Sequence, residues 1–457
     1  MSELKTLGKH ASTVLVGQLA VMAFGVADTM IAGRHSDAAL AALSVGSAIY
    51  ISVYVALIGI VQALLPILAE MRGARREHEI GASLRQSLYL CAVITLCGTA
   101  MLLLPGPLLR WAQVPQAMQA EVQSYLAVLA LAFAPALLFR LFSTLNQSLG
   151  RPLLVTWLQI GALAVKVPLS VWLVGGGAGV PAMGVVGCAW ATFVVNFLLL
   201  VAALVLLRTN ALYRPFGLWQ RMELPDWKRI REFLRMGLPG GLSYMVEVTS
   251  FTLMAVFIAR LGTTAAAAHQ IAASLSAVLY MVPLSLSIAC SARVSFWIGR
   301  GDLAQARRLV GMGLGLMASL AISLAALLWL LHNQLPSLFS RNPEVASTAA
   351  ALLLWVALYH VADATQAMCA FLLRCYRVTL LPLFIYGSVL WGMGLTGGYW
   401  LTYVGWSEVG MLGLNWQATQ SASSFWAAAT LALTLVSVFF CGLLWRAARR
   451  PVAAVGA

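Results

Sequence analysis

The chain has 457 residues, of which 61% are hydrophobic and only 10% charged, and its mean hydropathy is +0.87; soluble globular chains carry about a quarter charged residues. That composition excludes a water-soluble enzyme or binding domain and indicates an integral membrane protein. The formal charge of +14 suggests a nucleic-acid partner only until the basic residues are placed along the chain, where they report topology instead.

Hydropathy predicts twelve apolar runs of bilayer-spanning length, at 11–33, 40–68, 87–109, 122–142, 153–177, 184–207, 236–259, 264–292, 309–331, 346–372, 380–404 and 421–445. The first run exceeds the usual length of a signal-peptide core and lacks an A-x-A site, so it is expected to remain as a span. It carries an acid, Asp28, in VMAFGVADTMIAG. The second ends in the basic turn PILAEMRGARREHEIGASLRQSL and the fourth exits into NQSLGRP. Pro66 and Pro283 predict tilt or bending in the long second and eighth spans.

Span five holds Lys166, one of four lysines, in ALAVKVPLS with Ser170 one turn on. A polar segment, Arg208 to Arg235, then divides six spans from six. Span seven carries Glu247 in LPGGLSYMVEVTSF, with Thr249 nearby; span eight carries His269, Gln270 and Tyr280 and ends in RVSFWIGRGDLAQARRLVG. Span ten contains LYHVADATQAM, and it exits into LLRCYRV.

Of the 29 Lys and Arg residues, 24 fall in the two termini and the alternate connections that share their side. Only Arg34, Arg110, Arg260 and Arg341 fall on the other side, and Lys166 lies within a span. Retention of positive charge in the cytoplasm therefore predicts both termini cytoplasmic, with no nucleic-acid role. The two halves repeat: Gly73 and Gly299 head equivalent polar turns, and spans four and ten exit at equivalent places. The fold class expected is an all-α integral membrane protein with twelve transmembrane helices in two six-helix lobes. An even number of spans per repeat relates the lobes by a pseudo-two-fold along the membrane normal, with a transporter's central cavity between them. The domains read as an N-terminal lobe over 1–207, a cytoplasmic linker over 208–235 and a C-terminal lobe over 236–457.

No G-x-x-x-x-G-K-[ST] loop supports ATP-driven transport, and no H-E-x-x-H or G-x-S-x-G pattern supports an intramembrane hydrolase. The chain is thus expected not to be an enzyme and to need no cofactor. Its seven cysteines lie in or beside apolar runs without a C-x-x-C pair and read as small packing residues.

An ionisable group inside a span costs about 2.5 to 3.5 kcal/mol on insertion scales, which marks Asp28, Glu247, Asp363 and Lys166 as functional candidates. On a helix, Tyr359, Asp363 and Gln366 share one face, with His360 beside them. Hydroxyl, carboxylate and amide on one face can replace part of the hydration shell of a small cation or hold a proton. Glu247 on a second helix completes what a monovalent-cation or proton site requires. The plainer reading is that each acid only hydrogen-bonds a neighbouring helix.

Lys166 has three readings. It can pair with Asp28 and fill the charge slot of the N-lobe; it can lose and regain a proton during a cycle; or it can snorkel, which a depth of roughly 15 Å opposes. His269 and His360 read either as proton relays or as neutral, hydrogen-bonded core histidines. Abundant Met and aromatic residues suit apolar contact with flat amphipathic cations.

The run GVADTMIAGRHSDAALAALSVGSAIY, then LAEMRGARREHEIGASLRQ, VKVPLSVWLVGG, MGVVGCAWAT, MVEVTSF, LGTTAAAAHQIA and LYHVADATQAM follow one another in an order that resembles the MATE (multidrug and toxic compound extrusion) family, NorM-like branch. The resemblance implies an exporter that exchanges amphipathic cationic drugs or dyes for Na+ or H+ by alternating access. It implies a monomer in a bacterial-type inner membrane. It also implies a C-lobe cation site at Glu247 and Asp363, supported by Gln270, Tyr280 and Tyr359, with Asp28 as the N-lobe acid. The chain departs from the family pattern in three places. Lys166 and Ser170 stand where asparagines are usual, span one lacks an early proline, and LLRCYRV replaces a glycine-lysine turn. A lipid-linked or polysaccharide flippase and a non-transporting scaffold are the competing readings; the first would need cationic groups for phosphates, and the second leaves the buried acids idle.

Overall fold

The computed structural model of the protein describes residues 3–111, 116–177, 179–405 and 418–449, so Arg450, counted among the C-terminal cations, lies outside the described residues. Twelve helices among them are long and apolar enough to cross a membrane. They are α1 Glu3–His35, α2 Asp37–Gly73, α3 Glu77–Leu103, α4 Met118–Ser148, α5 Pro152–Gly175, α6 Val185–Thr209, α7 Trp227–Ala259, α8 Thr263–Gly299, α9 Leu303–Leu331, α10 Pro343–Cys375, α11 Leu380–Val404 and α12 Ala422–Arg449. The chain is a multi-pass membrane protein.

Several helices run past the apolar stretch that announces them. α7 begins at Trp227 rather than near residue 236, because WKRIREF continues the backbone ladder as a charged, partly solvated helix. α2 and α8 likewise carry on through their basic ends to Gly73 and Gly299. Pro66 interrupts α2 one turn earlier, at Ala63, where its ring and missing N–H disturb the carbonyl of Gln62. Pro283, by contrast, lies inside a continuous α8. Much of α11 is wound in wide turns, from Ser388 to Thr396 and again from Trp400 to Val404, closing with Gly405 N–H to the Trp400 carbonyl at 2.8 Å. Such i→i+5 stretches are rare and cluster at functional sites.

The chain divides into two compact units. The first comprises residues 12–241 with 295–301, and α4 is its most buried helix, packed on α2, α3 and α6, with α5 against α6. The second comprises residues 1–11, 242–294 and 302–457, and there α10 occupies the corresponding place, packed on α9 and α12. In this second unit the thiols of Cys369 and Cys441 join α10 to α12 at 3.5 Å. In the first, the repeat glycines meet: a Cβ on Gly73 would overlap the Phe296 carbonyl oxygen, and one on Gly299 would overlap that of Glu70. The backbones therefore cross at a separation only glycine allows.

The segment after α6 is tied down in the first unit. The Tyr213 hydroxyl donates to Asn146 Oδ1 at 2.7 Å, and Arg85 donates to the Gly217 carbonyl at 2.6 Å and to Glu223 at 2.5 Å. Gln86 both donates to the Leu224 carbonyl at 2.9 Å and accepts from Asp226 N–H at 2.8 Å. Hydrogen bonding from the Arg85 guanidinium holds the Glu223 carboxyl below the usual carboxylate range. A depressed value means that the bond stabilises the segment above that range and is lost as pH falls through the lowered value. Glu223 is half exposed, so the contribution is at most about 1 kcal/mol. Amide hydrogen exchange of residues 217–226, corrected for intrinsic rates, should lose protection on acidification in the wild type. Glu223→Gln should flatten that dependence, and an unchanged acid response in this variant would refute the role of the pair.

Candidate functional site

The acids of the second unit converge from different helices. Asp363, on α10, is 4% exposed and accepts from Gln366 Nε2 at 3.2 Å, one turn on. Glu247, on α7, is half-buried, and Tyr386 of α11 and Asp363 both lie close enough to act on its carboxyl. Tyr280 on α8, Tyr359 on α10 and Tyr386 all sit in the field of both acids. Trp391 Nε1 of the wide-turned α11 donates to the Val246 carbonyl at 3.2 Å, which seats α11 beside Glu247. Four helices thus supply two carboxylates, three phenols and an amide to one buried place.

An apolar cleft opens beside it, lined by Phe251, Tyr359, Phe425 and Trp426. Tyr359 stands edge-on to Trp426 at 5.5 Å and to Phe251 at 5.9 Å, so its position is fixed by packing. His269 rests on Trp426, with ring centroids 5.8 Å apart, and its Nδ1 has no hydrogen-bond partner among the described residues. His360 is 2% exposed and its Nε2 is likewise unpartnered. Neither ring is hydrogen-bonded to Glu247 or Asp363. Gln270 is exposed and its carbonyl accepts from Ser274, so it does not join the acids in this arrangement. Thr249 and Thr365 hydrogen-bond carbonyls of their own helices.

A cation also lies in this unit. Arg374, in the last turn of α10, is 7% exposed, packs its guanidinium 5.5 Å from the Tyr244 ring and 4.9 Å from that of Phe371, and leaves Nη1 without a partner. It acts on Tyr280 together with the two acids.

The first unit holds a closed ion pair. Lys166 Nζ on α5 lies 2.9 Å from Asp28 Oδ2 on α1, with the side chains 1% and 11% exposed. The ammonium also donates to Thr192 Oγ1 of α6 at 2.7 Å, and that hydroxyl donates to the Cys188 carbonyl at 2.9 Å. Ser170 Oγ donates to Asp28 Oδ1 at 3.2 Å, and the Phe24 ring lies 5.8 Å from Nζ. Lys166 therefore points inward to its acid and does not snorkel. Each charge has both an ionic and a hydroxyl partner, the condition under which a buried pair is tolerated.

Three of these residues escaped the sequence reading. Tyr386 sits alone in LLPLFIYGSVL, Trp426 stands in the apolar span ASSFWAAATLAL, and Thr192 is an ordinary threonine in WATFVVNF. The only sequence signal was the spacing that brings Thr192 and Cys188 to one helix face.

The MatE family model matches this chain twice, over residues 14–172 and 239–400. A "Probable multidrug resistance protein NorM" of Aromatoleum aromaticum is 37% identical over 97% of this chain and 94% of its own length. The "Multidrug resistance protein PmpM" of Pseudomonas aeruginosa is 32% identical over 98% and 92%. Among solved structures, the eukaryotic MATE transporter AtDTX14 superposes with a TM-score of 0.86 at 18% identity, covering 98% of this chain and 97% of that one. The Vibrio cholerae MATE transporter VcmN in its bent form gives 0.82 at 16% identity, covering 97% of each; both likenesses concern the fold alone. Both halves of the chain match the family model, and relatives of more than 30% identity span nearly its full length: the chain belongs to the MatE family.

Proposed function

We propose that this chain is a secondary active multidrug exporter that exchanges small amphipathic organic cations for Na+ or H+ by alternating access. The observation that carries the reading is the convergence of Glu247 and Asp363 from separate helices of one unit, among Tyr280, Tyr359 and Tyr386. Two carboxylates held near each other in a low-dielectric interior repel strongly, and a proton or Na+ between them relieves that repulsion. Carboxylate and phenol oxygens are also the donors that a hard monovalent cation prefers.

Exchange follows if drug and coupling cation stabilise different states of the carrier, because a ligand shifts an equilibrium only by its differential affinity. Half-buried Glu247 offers the cation a way in, while buried Asp363, steadied by Gln366, retains it. The aromatic rings beside the acids, Phe251, Tyr359, Phe425 and Trp426, are the kind of side chain that attracts organic cations through ring contacts. The names of the relatives, both multidrug resistance proteins, favour this reading. The protein would work as a monomer in a bacterial-type inner membrane, with both termini in the cytoplasm where the positive charge of its connections collects.

Dye efflux from proteoliposomes, with Na+ and pH gradients imposed separately, tests the proposal. At least one gradient should drive a cationic dye against its own gradient. A carrier that moves no cationic dye under either gradient is not a cation-coupled exporter.

A further inference from the structure

The two units differ in how their buried acids are neutralised, and this sets how many cations the carrier exchanges. In the first unit Asp28 has a permanent partner. Lys166 is covalently held, is 1% exposed, lies 2.9 Å from the carboxylate and is further fixed by Thr192. Among the described residues, Tyr125, Cys188 and Ser170 also act on or feel the acid, and side chains of these types are neutral at neutral pH. A sodium ion or proton arriving at Asp28 would have to displace an ammonium that cannot leave. The slot is full.

In the second unit the balance is incomplete. Glu247 and Asp363 bring two negative charges, and among the described residues no fixed cation is hydrogen-bonded to either of them. Arg374 lies on Tyr244 and Phe371, and among the described residues no ion pair joins it to either acid. The two carboxylates therefore face each other without a fixed counter-charge, and one monovalent cation shared between them relieves their repulsion.

We infer that Lys166 acts as a tethered coupling cation, so that the carrier exchanges one monovalent cation, bound at Glu247 and Asp363, for each singly charged drug, and the exchange is electroneutral. This rests on the exporter reading above and adds its stoichiometry. Lys166 is a positioning and specificity residue in this scheme, because it decides which acid is open to exchange.

The test uses full-length protein in liposomes with a singly charged dye, the membrane potential being clamped by potassium and valinomycin. The cation gradient that halts net dye movement is then measured. For wild type, a roughly tenfold dye gradient should be held by a roughly tenfold cation gradient, and the clamped potential should not move the balance; two cations per dye would hold it with only about threefold. Lys166→Met should open Asp28, shift the balance towards two cations and make it respond to potential. Lys166→Arg, and the double variant Asp28→Asn with Lys166→Met, should both return it to one. A structural role for the lysine would reproduce neither reversal. A wild-type ratio of two overturns the inference while leaving the exporter reading intact, and absence of dye movement under every gradient overturns both.

Discussion

Asp363→Asn is expected to reduce dye efflux to the level of cells lacking the protein, a loss of roughly a hundredfold or about 2.7 kcal/mol. The amide keeps the size of the carboxyl and can still meet Gln366, but it cannot hold a charge opposite Glu247 or carry a proton. Glu247→Gln should behave alike, since either change leaves one carboxylate where the site needs two. Gln366→Ala should cost less, because it removes only the 3.2 Å hydrogen bond that orients Asp363. Efflux is to be compared at equal amounts of membrane-inserted protein. Wild-type efflux by either acid variant would remove the second-unit acids from the mechanism.

The largest stability effect is expected at the glycine crossing of the first unit. Gly73→Val and Gly299→Val each drive side-chain carbon into a backbone carbonyl, of Phe296 and Glu70 respectively. A backbone atom cannot swing aside as a flexible side chain can, so the helices must separate. Overpacking of this kind costs about 1 to 3 kcal/mol, or more where backbone has to move. For a chain of this size that lowers the detergent unfolding midpoint by several degrees. Gly315→Ala on α9 is the control: its added carbon meets nothing within 4 Å, and it should leave the midpoint unchanged or raise it slightly. The double valine variant should lose less than the two single losses together, because once the helices have parted the second side chain finds room. A Gly73→Val protein that melts with the wild type would show that the crossing opens freely.

Much of this was legible in the sequence because a membrane penalises charge so heavily. Asp28, Lys166, Glu247 and Asp363 stood out against apolar surroundings, and helical spacing placed Tyr359 and Gln366 with Asp363. The alternation of basic connections and the pairing of Gly73 with Gly299 exposed the repeat. What the sequence could not resolve was direction around each helix. Lys166 meets Asp28 from another helix 138 positions later in the chain, and no local pattern selects that partner over solvent or lipid. Tyr386 sits in the regular first turns of α11, before the wide turns begin at Ser388, and the acid it faces comes from another helix, so nothing local announces it. Gln270, adjacent to buried His269, turns outward because neighbours on a helix point about 100° apart. Helix ends ran long because hydropathy falls at the first charged residue, whereas the hydrogen-bonded ladder does not.

The anchored stretch between α6 and α7 has a practical consequence. By composition it looks like the natural place to insert an epitope or a fluorescent reporter, midway along the chain and rich in charge. Arg85, Gln86 and Tyr89 nevertheless grip it at Gly217, Glu223, Leu224 and Asp226. An insertion there would cut through a strut rather than lengthen a rope, and a reporter so placed would record the damage it had caused.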